Sequence, residues 1–343
     1  MSIDLSPLAA ASRLLFTVPL APLQGQRFQP TGFPGLGSAT FRSAAGDCLL
    51  VESAQSMANR LELTVWDDII QNVKKEFVGL SHVRVNRSDG SFLTDTVLEP
   101  HRLNSPYLLE ESSKNFFDML KASLGGLETG PVDRKKLALT LFEYDVGSLL
   151  HGVFLAKKEL AGGRLRVARV MSVFIEADGV RVAASGGVKN DHVNPSGDTA
   201  KGFGNVPFAR DEFTADSISL YANIDLAQIR GYGLGDDAVR LLQVLALYKL
   251  RALLDGNLRL RTACDLRVES QSIIATSPGG FVLPDAASLT EDLQKAIAAC
   301  VSQMKVTTVI YADKIEAKKD KTKGKDTAAD AAESDGDEGA AED

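Results

Sequence analysis

Residues 13–18 form a short apolar run that ends at Pro19, which predicts a buried strand. A Gly- and Pro-rich stretch follows over 24–46. From Leu49 or Leu50 onward the spacing changes. Leu50, Val51, Ala54, Met57, Ala58 and Leu61 recur at i, i+3, i+4 and i+7, which predicts an amphipathic helix. Its opposite face carries Glu52, Gln55, Ser56 and Asn59, with Arg60 at the edge. Apolar, β-rich runs over 137–142, 149–155, 165–175 and 180–184 predict strands, with Gly162-Gly163 and Asp178-Gly179 as hairpin turns. Residues 185–210 are rich in Gly, Asn and Pro and show no period; a stretch of that length inside a domain usually marks function or mobility. A strand over 217–224 follows, then a helix over 238–254. This helix is apolar nearly all round and should be buried, with Asp236 or Asp237 capping its start and Gly256 just past its end. A strand over 258–264, a helix over 289–301 and a closing strand over 306–311 complete the body. A strand, a helix and more strands near each end, with a long insertion between, fit an α+β fold with a split βαβ, ferredoxin-like core.

Charge changes this picture at the C-terminus. The chain has 343 residues and a net charge of -7. The segment 313–343 holds 6 Lys against 11 Asp plus Glu, so the body from 1 to 312 is left at -2. With no apolar face to offset its ordering entropy, 313–343 is expected to be a disordered charged tail. A nearly neutral body argues against an indiscriminate DNA coater, whose affinity comes from many neutralised phosphates. It still allows a basic stripe on one face. The apolar run over 8–23 is broken by Arg13, Pro19 and Pro22 and is too short to span a bilayer, so no membrane partner and a cytoplasmic location are expected.

Candidate chemistry is sparse. Cys48, Cys264 and Cys300 lie far apart without CxxC spacing, which suits buried thiols rather than disulfides or zinc. His82, His101, His151 and His192 form no metal-ligand motif. No GxSxG marks a nucleophile, and Asp67-Asp68 and Asp236-Asp237 read as solvated faces or caps. Gly231-Tyr-Gly-Leu-Gly235 lacks both GxGxxG spacing and a Walker lysine. Its following acids would repel a phosphate. Catalytic residues, metal and cofactor are therefore all assigned as none. The stretch from Arg27 to Phe41 is of more interest. Its glycines let a backbone approach phosphate, Arg27 and Arg42 flank it, and Phe28, Phe33 and Phe41 offer faces to unpaired bases. An ordinary surface loop with its aromatics in the core fits the same residues. The short polar groups beside Arg60 on the adjoining helix suit sugar and phosphate contacts that position RNA without reading sequence.

Five motifs occur in order: Gln29-Pro-Thr-Gly-Phe-Pro34, Leu50-Val-Glu-Ser-Ala-Gln-Ser-Met-Ala-Asn-Arg-Leu-Glu62, His101-Arg-Leu-Asn-Ser-Pro-Tyr107, Ser185-Gly-Gly-Val-Lys-Asn-Asp191 and Gly202-Phe-Gly-Asn-Val-Pro-Phe208. Together they resemble the backbone subunit of type I CRISPR Cascade, the Cas-seven group of the RAMP superfamily, in its type I-G (formerly I-U) branch. The resemblance implies an RRM-like palm over 1–312 with inserted finger and β-hairpin elements at about 100–210. It implies that copies stack head-to-tail along CRISPR RNA, hold its backbone without regard to sequence, and present the guide to target DNA beside other Cascade subunits. A protruding thumb hairpin is implied as well. Both the strands around Gly162-Gly163 and the 185–210 segment are candidates for it. On the matching positions, the implied RNA contacts are Ser56, Asn59 and Arg60, joined by Gln55, then Arg27, Gln29, Thr31 and Arg42. His101, Arg102 and Asn104 follow, with fixing the fold as their other reading. Lys189, Asn190 and His192 would touch RNA or a neighbouring copy. The alternative class is a RAMP-type ribonuclease with His101 or His192 as general base.

Overall fold

The computed structural model describes residues 2–33, 37–44, 46–110, 114–127, 129–256, 258–313 and 315. The expected tail lies almost wholly outside these residues. Among them, seven antiparallel strands build the main sheet. They are β1 (Arg13–Pro22), β2 (Thr40–Ser43), β3 (Gly46–Glu52), β4 (Met171–Asp178), β5 (Ser217–Asp225), β6 (Leu258–Arg261) and β7 (Cys264–Val268). Their spatial order is β6-β7-β1-β5-β4-β3-β2.

The central strands alternate. Leu14, Phe16, Val18 and Leu20 of β1 are buried, as are Met171, Val173, Ile175 and Ala177 of β4 and Ile218, Leu220, Ala222 and Ile224 of β5. The residues between them face outward, where Phe174 and Tyr221 stack across adjacent strands at 5.3 Å. A two-residue period with one face in the core is what fixes the register. On the inner side run α1 (Ala54–Leu63), α2 (Arg134–Tyr144), α3 (Val146–His151), α4 (Asp236–Asp255) and α5 (Ala286–Cys300). The α4 helix is buried on nearly every side, as its continuous apolar sequence requires. Gly235 occupies its N-cap, and Asp236 and Asp237 sit in the first turn, where they complement the helix dipole.

The chain visits the middle of the sheet as β1, α1, β4, β5, α4 and β7, with β7, β1, β5 and β4 adjacent in that order. A second sheet of three strands sets Val306–Tyr311 parallel to His82–Arg87, which pairs antiparallel with Phe92–Asp95. No helix among the described residues is long and apolar enough to cross a membrane.

Three expectations from the pattern need correcting. Residues 137–142 and 149–155 are not strands: 137–142 lies in α2, and 149–151 ends α3 before a strand of only Val153–Leu155. Asp133 caps α2 by accepting from the Lys136 N–H at 3.0 Å, and most side chains that follow are buried, which hides the helical period. The helix expected from Leu49 or Leu50 starts at Ala54. Leu49 and Val51 belong to β3, and the Ser53 hydroxyl accepts from the Ser56 N–H at 3.2 Å as N-cap. The 185–210 segment is not irregular throughout. Arg181–Lys189 and Val206–Thr214 form a long antiparallel hairpin.

Candidate nucleic-acid interface

The α1 helix stands at the centre of the candidate site because β3 delivers it beside the β6–β7 turn. Its Arg60 reaches across to β6, just before that turn. Nη2 donates to the Leu260 carbonyl at 2.7 Å and Nη1 to the Arg259 carbonyl at 3.5 Å. Glu52, buried at the end of β3, lies 3.9 Å from Arg60 Nε and ion-pairs with Arg261. Arg261 also donates to the carbonyls of Gln29 at 3.0 Å and Val51 at 3.2 Å. Two guanidiniums thus share one carboxylate, which leaves one positive charge in excess.

The Gly-rich stretch is tied to the same place. The Gln29 N–H donates to the Ala263 carbonyl at 2.7 Å, and the Thr31 N–H to the Val51 carbonyl at 3.1 Å. Phe28 exchanges both backbone hydrogen bonds with Phe213 at the base of the long hairpin. The Phe28 ring is in the core, so it offers no face to a base. Phe41 is partly exposed. Residues 34–36 of the stretch lie outside the described residues.

Arg27 stands 3.6 Å from Glu212, and Arg210 pairs with that carboxylate at 2.7 Å. Burial alone would raise the Glu212 pKa. Hydrogen bonds from Arg210 and Ser185, with the charges of Arg210 and Arg27, instead hold it below the usual range. Arg27, Gln29, Thr31 and Arg60 are therefore assembled around one junction of β3, the β6–β7 turn and the hairpin base. Arg42 is not joined to it by contact; it pairs with Asp47 at 2.8 Å on the sheet edge.

The polar face of α1 is partly spoken for. Gln55 is exposed and accepts from Arg169. Ser56 is half-buried, and Asn59 holds its Oδ1 enclosed without a hydrogen-bond partner.

His101, Arg102 and Asn104 separate into different roles. His101 is exposed. Asn104 Oδ1 accepts from the Ala156 N–H at 3.0 Å. Arg102 is only 3% exposed and pairs with buried Glu62 at 2.8 Å, while Nη1 approaches the carbonyls of Pro100 and Gly152 at 3.3 and 3.4 Å. The assignment of Arg102 to RNA is thus corrected: its guanidinium lies inside the core, fastening this turn to the end of α1. Gly147 makes the room, since a Cβ there would stand 2.6 Å from Glu62 Oε1.

Lys189, Asn190 and His192 sit far from α1 along the chain path, exposed at the distal end of the hairpin. The tip is built, not loose. Asp191 accepts from the N–H groups of Val193, Asn194 and Gly204 at 2.8–2.9 Å, which holds its carboxyl below the usual range. Asn205 Oδ1 accepts from the Asp191 N–H at 2.7 Å.

Sequence reasoning passed over Arg261, Arg169, Glu52 and Asp191 as members of the site. For Arg261 a signal exists: Leu258-Arg-Leu-Arg261 alternates, and its leucines are buried while its arginines are not. The described residues contain no group of three His, Cys, Asp or Glu side chains placed to hold a metal ion.

Comparison with known proteins adds a family. Residues 14–182 match the family described as CRISPR-associated protein GSU0053. That segment begins in β1, contains the Gly-rich stretch, α1 and the Arg102 turn, and ends as the long hairpin begins. No curated protein matches the chain. One solved chain, described as "CRISPR RNA-guided surveillance complex, pre-nicking", is similar at a TM-score of 0.37 and 14% identity, covering 74% of this chain and 75% of that one. Over residues 14–182, just under half of its length, the chain is therefore similar to the CRISPR-associated family of GSU0053.

Proposed function

We propose that this chain is a structural backbone subunit of a CRISPR RNA-guided surveillance complex, not an enzyme. It holds the sugar–phosphate backbone of the CRISPR RNA and stacks head-to-tail with copies of itself. The guide bases are left free to pair with target DNA, and other Cascade subunits complete the assembly. Protein reads shape and backbone while base pairing reads sequence. Head-to-tail contacts that do not close give an open filament.

The observation that carries this reading is the junction at α1. Arg27 and Arg60, inside the segment similar to a CRISPR-associated family, are held with Arg261, which lies outside it, on rigid elements at the root of a long hairpin. The order of the central strands also supports an RRM-like palm, because β1, α1, β4, β5, α4 and β7 follow the split βαβ path. The long hairpin then takes the part of the thumb, in preference to the three-residue strands Val153–Leu155 and Leu165–Val167 around Gly162-Gly163.

The test is to express the chain with its CRISPR RNA and measure binding against guides of unrelated spacer sequence. RNA co-purifies in multimeric particles, and Arg60→Ala weakens binding about tenfold to a similar degree for every spacer, since phosphate contacts carry no sequence information. A monomer free of nucleic acid that also fails to bind added guide overturns the reading. Cleavage of repeat RNA by the purified chain would replace it with the ribonuclease.

A further inference from the structure

Arg169 lies in the link between the strand Leu165–Val167 and β4, and nothing around it in sequence marks it out. The residues on either side of it are pinned. The Gln228 side chain donates to the Ala168 carbonyl at 2.8 Å, the Val170 N–H donates to the Leu150 carbonyl at 2.9 Å, and the Asp225 N–H donates to the Val170 carbonyl at 2.9 Å. The side chain leans over Gly152, where an added Cβ would stand 3.2 Å from Arg169 Cγ and 2.9 Å from the Val167 carbonyl.

From this seat the guanidinium reaches the exposed side of α1, where Gln55 Oε1 accepts from Nη2. Its Nε is enclosed and makes no hydrogen bond. Among the described residues no carboxylate pairs with it. The charge it feels is that of another cation, Arg102, whose own carboxylate partner is Glu62. Burial and that like charge both depress the Arg169 pKa.

A half-buried arginine that is packed on Gly152, hydrogen-bonded to Gln55 and lacking a counter-charge is an electrostatic deficit that an anion at the surface removes. The fork of a guanidinium beside an amide matches the non-bridging oxygens of a phosphodiester. Asn59 follows one turn further along the same helix, half-buried. Of the α1 residues already assigned to RNA, Gln55, Ser56 and Asn59 are uncharged, and the one cation, Arg60, is turned to the Arg259 and Leu260 carbonyls and Glu52.

We propose that Arg169 is a phosphate-binding residue that takes one phosphodiester of a bound RNA strand, with Gln55 orienting its guanidinium. This rests on the reading of the chain as an RNA-holding subunit.

The experiment uses the full chain and a single-stranded guide RNA, with the affinity measured across a series of salt concentrations. Arg169→Met keeps the packing over Gly152 and removes the charge. Its expected result is a salt dependence shallower by about one phosphate contact, a slope change of roughly 0.7 for a single strand, with an unchanged melting temperature. Should that variant melt early, Arg169→Lys retains the charge without the fork, and the expected result is a retained slope with weaker binding. If the parent chain binds RNA and Arg169→Met binds with the same affinity and slope, the proposal is wrong while the subunit reading stands. Loss of a co-purifying protein with an unchanged RNA slope also overturns it. If the parent chain binds no RNA, the subunit reading itself has failed.

Discussion

Arg102→Ala loses about 3–5 kcal/mol of folding stability, read as the drop in unfolding free energy in urea. The magnitude follows from what the substitution leaves behind. Glu62 is 1% exposed, and without Arg102 its charge stays in the core without its ion-pair partner at 2.8 Å. Buried pairs are weak evidence of net stabilisation, because an apolar replacement of both members often does as well. The double variant Glu62→Leu with Arg102→Met is therefore expected to recover most of the loss. Its RNA affinity is expected to equal the parent's, since Arg102 has no surface to offer a phosphate. A double variant that folds normally yet binds RNA several-fold more weakly would return Arg102 to the binding site.

Arg102 also shows where the sequence stops being legible. Its motif was visible, and fixing the fold was one of its two readings. The deciding fact is the carboxylate of Glu62, forty positions earlier in the chain, which no local pattern announces. Arg60 is similar. Its type and position on α1 were legible, but its anchors, the Arg259 and Leu260 carbonyls, come from the far end of the body. Arg169 stands alone between short elements and has no period to betray it. Strands with one face in the core gave themselves away, as β5 did through its alternation. Segments buried on all sides did not: α2 and the end of β3 both present apolar runs whose period is masked. The Ser53 hydroxyl was the cue that separates β3 from α1, and it is a cue only once the strand before it is recognised.

A second large effect concerns pH. Asp145 lies in the core beside the same cluster, accepting from the Ser148 hydroxyl at 2.5 Å. Burial and then the charge of Glu62 push its carboxyl up to about 6. The sign is that of an acid whose folded pKa exceeds its unfolded value near 3.8. The folded state holds the proton more tightly, so this contribution is fully present below the unfolded pKa and is lost as pH rises through about 6. The size is about 3 kcal/mol for a shift of roughly two pKa units. Lys249, also buried, works in the other pH range. Burial depresses it to about 8, so its penalty to folding is relieved as pH climbs from about 8 toward its unfolded value near 10.5. Asp145→Asn should therefore gain on the parent by up to about 3 kcal/mol between pH 4 and pH 7, measured as the difference in unfolding free energy at each pH. A constant difference across that range would mean that Asp145 is ionised in the folded protein throughout.

The long hairpin has a consequence for how the molecule measures distance. Asp178 of β4 faces Ser217 of β5, and Arg181 faces Thr214 in the hairpin, so the pairing crosses from sheet to hairpin without a slip. The hairpin is thus an outgrowth of two neighbouring palm strands, with Gly179 at φ 61 and the Asp178–Asp216 backbone bond marking where it departs. Each arm has nine residues, about 30 Å at roughly 3.3 Å per residue. Two residues added to each arm would lengthen it by about 7 Å with every side chain on its original face; one residue in each arm would turn the tip over. The arm is a ruler graduated in residue pairs, and the sheet below it keeps its register whatever length is read off.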